Sequence, residues 1–397
     1  MHLGTYYGGM ELHRDEKIIY ARFLAPHRVI STCSAAGGLR EDLDYLYNHQ
    51  SCEPTGHERA IHRLISRDPN SYRQLICEQY SLPKEGCATL GTAANMRNAA
   101  IRKESFRDLT VVAVCTGGVE TNAGRAGDPA TVYEWNGAYE RVAEKETSMH
   151  GTINTMLFVN QEMTAGAMVR AVMTATEAKT AALQELVVGS RYSSGLATGT
   201  GTDQIGIAAQ RNTATVLSGA GKHCVLGELI GRTVHDAIKE TLMLQNGLTA
   251  ESQRSIMRYV DRLGIERESL LENIAGHLLE EQAALLRKNF IVVERDPLVV
   301  AAVAALVHVN DNITWGILPA GCLPELLATY GAQVAAAVSG DYARFSEYRL
   351  ALAGEGYPAS SEWFARMLGH SIALGFSEKW REPRINKNLL KQDPGLG

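Results

Sequence analysis

The chain has 397 residues, 45% of them hydrophobic and 21% charged, a composition that supports a buried core and excludes an intrinsically disordered chain. The length leaves room for two domains, or for one domain with an appendage. A net charge of −5 leaves no electrostatic footprint for nucleic acid or an anionic membrane surface, so neither is an expected partner, and small neutral or cationic ligands stay open.

The amino terminus, Met1-His2-Leu3-Gly4-Thr5-Tyr6-Tyr7, carries neither a basic n-region nor a continuous apolar stretch. The seven cysteines (Cys33, Cys52, Cys77, Cys87, Cys115, Cys224, Cys322) are odd in number and scattered, with no C-x-x-C pair. That usage suits a reducing compartment, and a cytoplasmic location is expected.

In chain order, Ile18-Ile19-Tyr20-Ala21-Arg22-Phe23 and Arg28-Val29-Ile30-Ser31 alternate as two short strands separated by Pro26. Residues 57–79 carry apolar side chains among charges and read as helix, broken near Pro69-Asn70. Leu109-Thr110-Val111-Val112-Ala113-Val114-Cys115 is a buried strand that stops at Thr116-Gly117-Gly118, and the next strand covers 151–159. Their spacing is too irregular for a simple βαβ crossover. A helix from Thr164 to Leu186 follows, with Met168, Val172, Ala175, Leu183 and Leu186 on one face and Thr164 as N-cap. A Gly/Ser/Thr-rich break over 193–202 leads into a strand at 205–209, and a helix over 227–243 ends at Asn246-Gly247.

Beyond Leu248 apolar residues recur only at helical spacing. Ser269-x-x-Glu272 reads as a capping box and Asp296-Pro297 as a helix start. The apolar run 297–309 is shorter than the roughly 20 residues needed to span a bilayer and reads as a buried helix. The expected fold is α+β within the broad α/β class: a mixed or largely antiparallel sheet covered by helices over residues 1–248, and an all-α extension over 249–397.

Two glycine-rich loops carry chemistry. In Thr116-Gly117-Gly118-Val119-Glu120-Thr121-Asn122-Ala123 the glycines let backbone N–H groups and short hydroxyls approach a ligand, although a plain turn has the same composition. Thr198-Gly199-Thr200-Gly201-Thr202-Asp203 alternates threonine and glycine and ends on a carboxylate. Such a loop forms either an anion or oxyanion nest or a flexible entry into the following strand, and Asp203 can act as a base. No dinucleotide fingerprint, P-loop, G-x-S-x-G elbow or H-E-x-x-H occurs. Lys179 falls in the middle of the apolar face of its helix, with Glu177 nearly opposite. An ammonium there must snorkel, pair or work. His223 with Glu228, and His308 with Asp311, lack metal-site spacing, so no metal is expected.

Several stretches occur in an order that resembles the adenosylcobinamide amidohydrolase family. They are Arg28-Val29-Ile30-Ser31 with Gly37-Gly38; Gly91-Thr92-Ala93-Ala94-Asn95-Met96-Arg97-Asn98-Ala99; Val114-Cys115-Thr116-Gly117-Gly118 with Thr121-Asn122-Ala123 and Gly127-Asp128; Gly151-Thr152-Ile153-Asn154; residues 174–183; Ala197-Thr198-Gly199-Thr200-Gly201-Thr202-Asp203; and Gly221-Lys222-His223 with Leu226-Gly227-Glu228. Together they cover residues 17 to 247. The resemblance implies hydrolysis of one corrin side-chain amide, giving adenosylcobyric acid and 1-aminopropan-2-ol in corrinoid (vitamin B12) salvage, with pseudocobalamin-type corrinoids as further substrates. The cobalt belongs to the substrate, and no separate cofactor is expected.

Residue chemistry then makes Asp203 the general base or water-orienter, Asn122 and Lys179 the oxyanion or amide contacts, and Thr116 a nucleophile or proton relay. The motif positions Gly117, Gly118, Asn154, Thr198, Gly199, Thr200, Gly201, Thr202 and His223 are candidate substrate contacts. A corrinoid-binding protein without turnover and a hydrolase of another amide are the competing readings. The extension is expected to be an oligomerisation or lid element, and a homodimer is the base-rate expectation.

Overall fold

The computed structural model describes residues 1–51, 64–65, 67–136, 138–142, 151–353 and 361–379. The chain divides into two compact units, Met1–Gln253 and Arg254–Gly397.

The first unit begins with β1 (His2–Tyr6), β2 (Met10–Asp15), β3 (Ile18–Phe23), β4 (His27–Ser31), β5 (Gly38–Arg40) and β6 (Tyr45–Gln50), then helix α1 (Pro69–Gln79). It continues through β7 (Cys87–Thr92), β8 (Ala100–Phe106), β9 (Leu109–Gly117), β10 (Ala123–Gly124), the hairpin strands β11 (Val132–Trp135) and β12 (Ala138–Arg141), β13 (Ile153–Val159) and β14 (Glu162–Met163). Helix α2 (Ala165–Glu185), β15 (Gly199–Thr200), β16 (Gln204–Gln210), β17 (Val216–Leu217), α3 (Val225–Asn246) and the short α4 (Ala250–Gln253) complete it.

Two mixed sheets form the centre. One has the order β1-β2-β3-β6-β7 and the other β5-β4-β16-β13-β9-β8. Pairing is antiparallel throughout except between β6 and β7 and between β13 and β16. The sheets stack face to face through Met10, Leu12, Ile19 and Leu46 on one side and Val112, Val114, Met156 and Phe158 on the other. The opposite face of the second sheet, with Val111, Ala113, Leu157 and Ile207, packs on α2 and α3. The opposite face of the first sheet, with Ile18 and Tyr47, packs under Tyr72 and Ile76 of α1. The result is a helix, sheet, sheet, helix sandwich.

That layering explains the sequence pattern. Strands β9 and β13 are covered on both faces, so alternation of side-chain direction produces continuous apolar runs instead of a polar-apolar alternation. The α+β expectation with a mixed sheet matches this architecture. Pro26 lies between β3 and β4 as read, and Thr164 caps α2, its Oγ1 accepting from Ala167 N–H at 3.2 Å. Gly247, in the left-handed region at φ 64°, ends α3. The expected break near Pro69-Asn70 is found: residues 64, 65 and 67 are helical, Asp68 leaves the helix, and Pro69 opens the next one with Asp68 as its cap. The rest of that expected helix, residues 57–63 and 66, lies outside the described residues, as does Cys52. Cys33, Cys77, Cys87 and Cys115 are buried free thiols, and Cys224 and Cys322 are exposed.

In the second unit α5 (Ile256–Val260), α6 (Arg267–Ala275), α7 (Glu280–Glu294), α8 (Pro297–Thr314), α9 (Leu323–Ser339), α10 (Phe345–Leu352) and α11 (Ser361–Glu378) surround a core that includes Phe290, Val303, Leu306 and Leu368. Asp296 caps α8, accepting from Leu298 N–H at 2.8 Å and Val299 N–H at 3.2 Å. By length and composition α8 alone among the described helices is apolar enough to cross a membrane; Val299, Val303, Leu306 and Val307 lie in this unit's core. Ser269 does not cap a helix. It lies inside α6, which starts two residues earlier after Glu266, so the S-x-x-E spacing here falls within a helix.

Candidate active site

The site grows from two loops that the second sheet brings together. β9 and β13 are adjacent and antiparallel, and β13 and β16 are adjacent and parallel, so the loop leaving β9 and the loop entering β16 meet at one end of the sheet. A two-residue ladder, Ala123 opposite Thr200 and Gly124 opposite Gly199, locks them. α2 lies across this end and carries Lys179.

Lys179 neither snorkels to solvent nor stands alone. Its Nζ donates to Asp203 Oδ2, and both side chains are only 14% exposed. Asp203 accepts three further hydrogen bonds: Thr200 N–H to Oδ2 at 2.9 Å, Thr200 Oγ1 to Oδ1 at 2.5 Å, and Ile153 N–H to Oδ1 at 2.8 Å. A carboxylate has about four acceptor positions, and all of them are taken. Four donors hold the carboxylate in place, and an incoming water finds no lone pair to use.

Asn122 is almost wholly buried and spans the two loops. Its amide donates to Gly151 C=O at 3.0 Å, and its Oδ1 accepts from Tyr192 Oη at 2.7 Å. Thr202 Oγ1 contacts Thr152 Oγ1 at 2.6 Å and donates to Gly151 C=O at 2.9 Å. These bonds tie the second glycine-rich loop to the start of β13. Asp128 closes a neighbouring turn. Burial raises its pKa, but hydrogen bonds from Ser190, Ser193 and Arg125 N–H, with the Arg125 charge, outweigh burial and hold it below the usual carboxylate range.

A cavity of about 640 Å³ opens over the ion pair. Its lining includes Asn122, Lys179, Asp203 and all of Thr198, Gly199, Thr200, Gly201 and Thr202. It also includes residues that the sequence reading did not single out, Arg125, Tyr192, Thr176 and Thr180, and the run Pro129 to Val132 that leads into the β11–β12 hairpin. The signal that could have found Tyr192 is an aromatic side chain within the Gly/Ser/Thr-rich break; Arg125 had none.

Five other candidates lie elsewhere. Thr116 is buried in the seam between the sheets, its Oγ1 accepting from Asn48 Nδ2 at 2.8 Å. Asn154 joins the same seam, donating to Asn48 Oδ1 and Gly91 C=O at 2.9 Å each. Neither lines the cavity, because both project from the sheet face toward β6 and β7. Gly117 packs on α3, where an added methyl would stand 3.0 Å from Leu242, and its N–H donates to Thr241 Oγ1. Gly118 N–H is bound to Thr152 C=O at 3.1 Å. His223 is exposed just before α3 and outside the cavity lining. Asp311 forms a two-pronged ion pair with Arg262, and His308 rests edge-on to Trp315.

Comparison with known proteins places this geometry. An uncharacterized protein of Methanocaldococcus jannaschii is 33% identical over 239 residues, which is 58% of this chain and 88% of that protein. The sequence profile of the adenosylcobinamide amidohydrolases matches residues 3–250, which takes in both glycine-rich loops, α2 and the cavity. The chain therefore belongs to the adenosylcobinamide amidohydrolase family, a family of amide-hydrolysing enzymes.

Proposed function

We propose that this protein hydrolyses the aminopropanol amide of adenosylcobinamide, releasing adenosylcobyric acid and 1-aminopropan-2-ol for corrinoid salvage in the cytoplasm, with no cofactor beyond the cobalt carried by the substrate. The observation that carries the reading is the Lys179–Asp203 pair facing a 640 Å³ cavity inside the matched region. Amide hydrolysis needs donors for the oxyanion that develops on the carbonyl, placed before the reaction and shielded from water. Lys179 offers an ammonium held in one orientation by Asp203, with donors beyond the one it spends on that carboxylate. Asn122 serves as the brace that fixes the loop, since its own polar atoms are engaged.

Adenosylcobinamide carries the scissile amide on a side arm of its macrocycle, so the arm enters the cavity and the macrocycle stays at the mouth. Val132, at the start of the β11–β12 hairpin, lines the cavity, and the same hairpin carries Tyr133 and Trp135, 49% and 65% exposed, with ring centroids 6.1 Å apart and planes 11° from parallel. A flat apolar surface of this kind suits the face of a corrin ring. Incubating the purified protein with adenosylcobinamide and measuring adenosylcobyric acid and aminopropanol tests the reading. Binding without either product would identify a corrinoid carrier, and no binding would point to another amide.

A further inference from the structure

We propose that Thr200 is the nucleophile, its Oγ attacking the substrate carbonyl to form an ester-linked acyl-enzyme; the proposal rests on the amidohydrolase reading above. Thr200 Oγ1 lies 2.5 Å from Asp203 Oδ1, and Thr200 lines the cavity. The four donors on Asp203 decide between a nucleophilic side chain and an activated water. With every acceptor position filled, the carboxylate can take a proton only along a hydrogen bond that already exists, and of those donors the Thr200 hydroxyl and the Lys179 ammonium become nucleophiles by losing one; attack by the lysine amine would only exchange one amide for another, whereas the hydroxyl gives an ester that water can open.

Four other hydroxyls lining the cavity, those of Thr180, Tyr192, Thr198 and Thr202, have partners other than a carboxylate, Thr198 Oγ1 accepting from Ala126 N–H at 2.9 Å. Thr202 Oγ1 donates to a backbone carbonyl, Thr180 Oγ1 donates to the carbonyls of Thr176 or Thr198, and Tyr192 Oη donates to Asn122. Ser190 also meets a carboxylate, Asp128, at 2.5 Å, but Ser190 is 5% exposed and does not line the cavity. Thr200 Oγ1 further accepts from Thr202 N–H at 3.3 Å, a backbone donor in place as negative charge grows on the oxygen.

The steps balance. The Thr200 Oγ proton passes to Asp203 Oδ1 as the Oγ–C bond forms. The C–N bond breaks, and the leaving amine takes a proton from the Lys179 ammonium. The dyad is then neutral, with Asp203 protonated and Lys179 a free amine. Water adds to the ester carbon and gives its proton to Lys179. The C–Oγ bond breaks, Thr200 Oγ recovers its proton from Asp203, and the carboxylic acid leaves. Lys179 thus serves as acid in the first half and base in the second.

The test uses the full chain and adenosylcobinamide. Turnover is established first; no aminopropanol release overturns the amidohydrolase reading itself, and the nucleophile with it. Given turnover, acid quenching in the steady state followed by intact and peptide mass measurement is expected to show a corrinoid acyl adduct on the peptide holding Thr200. Hydroxylamine is expected to divert product to the hydroxamate. Thr200→Ala should lose at least 1,000-fold in kcat and form no hydroxamate, while Thr200→Ser keeps the adduct and stays within 100-fold of wild type. A wild-type enzyme that turns over with neither adduct nor hydroxamate overturns the proposal, whether or not Thr200→Ala folds. So does a folded Thr200→Ala enzyme that keeps a tenth of the activity.

Discussion

Gly199 and Asp203 stand so close that a methyl group on Gly199 would collide with Asp203 Oδ2, and it would come within 2.8 Å of Lys179 Nζ as well. The glycine is required by the space the ion pair occupies, not by a left-handed backbone. Gly199→Ala is therefore expected to displace the pair, costing about 1–3 kcal/mol of stability by overpacking and most of the activity. Gly166→Ala, in α2 with open space around the new methyl, is the control and should lose neither. Urea denaturation alongside the turnover assay reads both.

Removing one member of the pair leaves the other charge poorly solvated. Lys179→Met and Asp203→Asn are each expected to destabilise the protein by about 3 kcal/mol and to lower kcat by about 100-fold or more. The double variant should recover part of the stability lost in either single variant and none of the activity. Strict additivity of the two stability losses would contradict the coupling.

Trp135 is expected to act in binding and not in chemistry, since it is exposed on the hairpin and outside the cavity lining. Trp135→Ala should raise the KM for adenosylcobinamide about 3- to 10-fold, the worth of one aromatic contact, and leave kcat nearly unchanged. A fall in kcat at unchanged KM would remove the hairpin from substrate recognition.

Two buried histidines set an acid limit on stability. His27 is pushed down to about 4, chiefly by burial and against the opposing effect of its bond to the Ala25 carbonyl. His49 is pushed down to about 4 by burial and then by the Lys17 charge. Both are neutral in the fold, whereas in the unfolded chain they take up protons near 6.5. The unfolded state thus binds more protons between those values, and stability falls as pH drops from 6.5 toward 4. Each histidine should remove about 2 kcal/mol between pH 7 and pH 5, and His27→Gln should flatten the dependence by one histidine's share. Denaturant midpoints measured across that range give the slope directly.

Each unit has its own core, so residues 1–253 are expected to fold alone and to retain adenosylcobinamide hydrolysis within about threefold of the full chain. Loss of activity in a folded truncation would give the helical unit a part in the site.

Much of the first unit was legible because burial on both faces leaves unbroken apolar runs, as in Leu109 to Cys115, and because caps such as Thr164 and Gly247 are local signals. β6 was missed for the opposite reason. Its Asn48, His49 and Gln50 look like a loop, yet all three are buried, and Asn48 is satisfied by Thr116 and Asn154 from the facing sheet. Pairing of that kind is non-local and leaves no periodicity. Thr116, read as a nucleophile or relay, and Asn154, read as a ligand contact, lie in that seam and not on the cavity lining, since a buried polar seam and a binding site draw on the same residue types. Lys179 was legible as an anomaly on an apolar face, but its partner was fixed only when α2 was laid across the end of the sheet.

The pairing of β4 with β16 sets Ser31 opposite Gly206, and it has a consequence for synthesis. The early strand leaves the ribosome roughly 175 residues before its neighbour exists, a wait of roughly 10–35 s at ordinary elongation rates. During that interval the β4 edge that β16 will occupy stays open to other chains. The loop that carries Thr200 and Asp203 follows the same schedule, since it is translated just ahead of β16. A nascent chain therefore lacks Thr200 and Asp203 until most of the first unit has been translated.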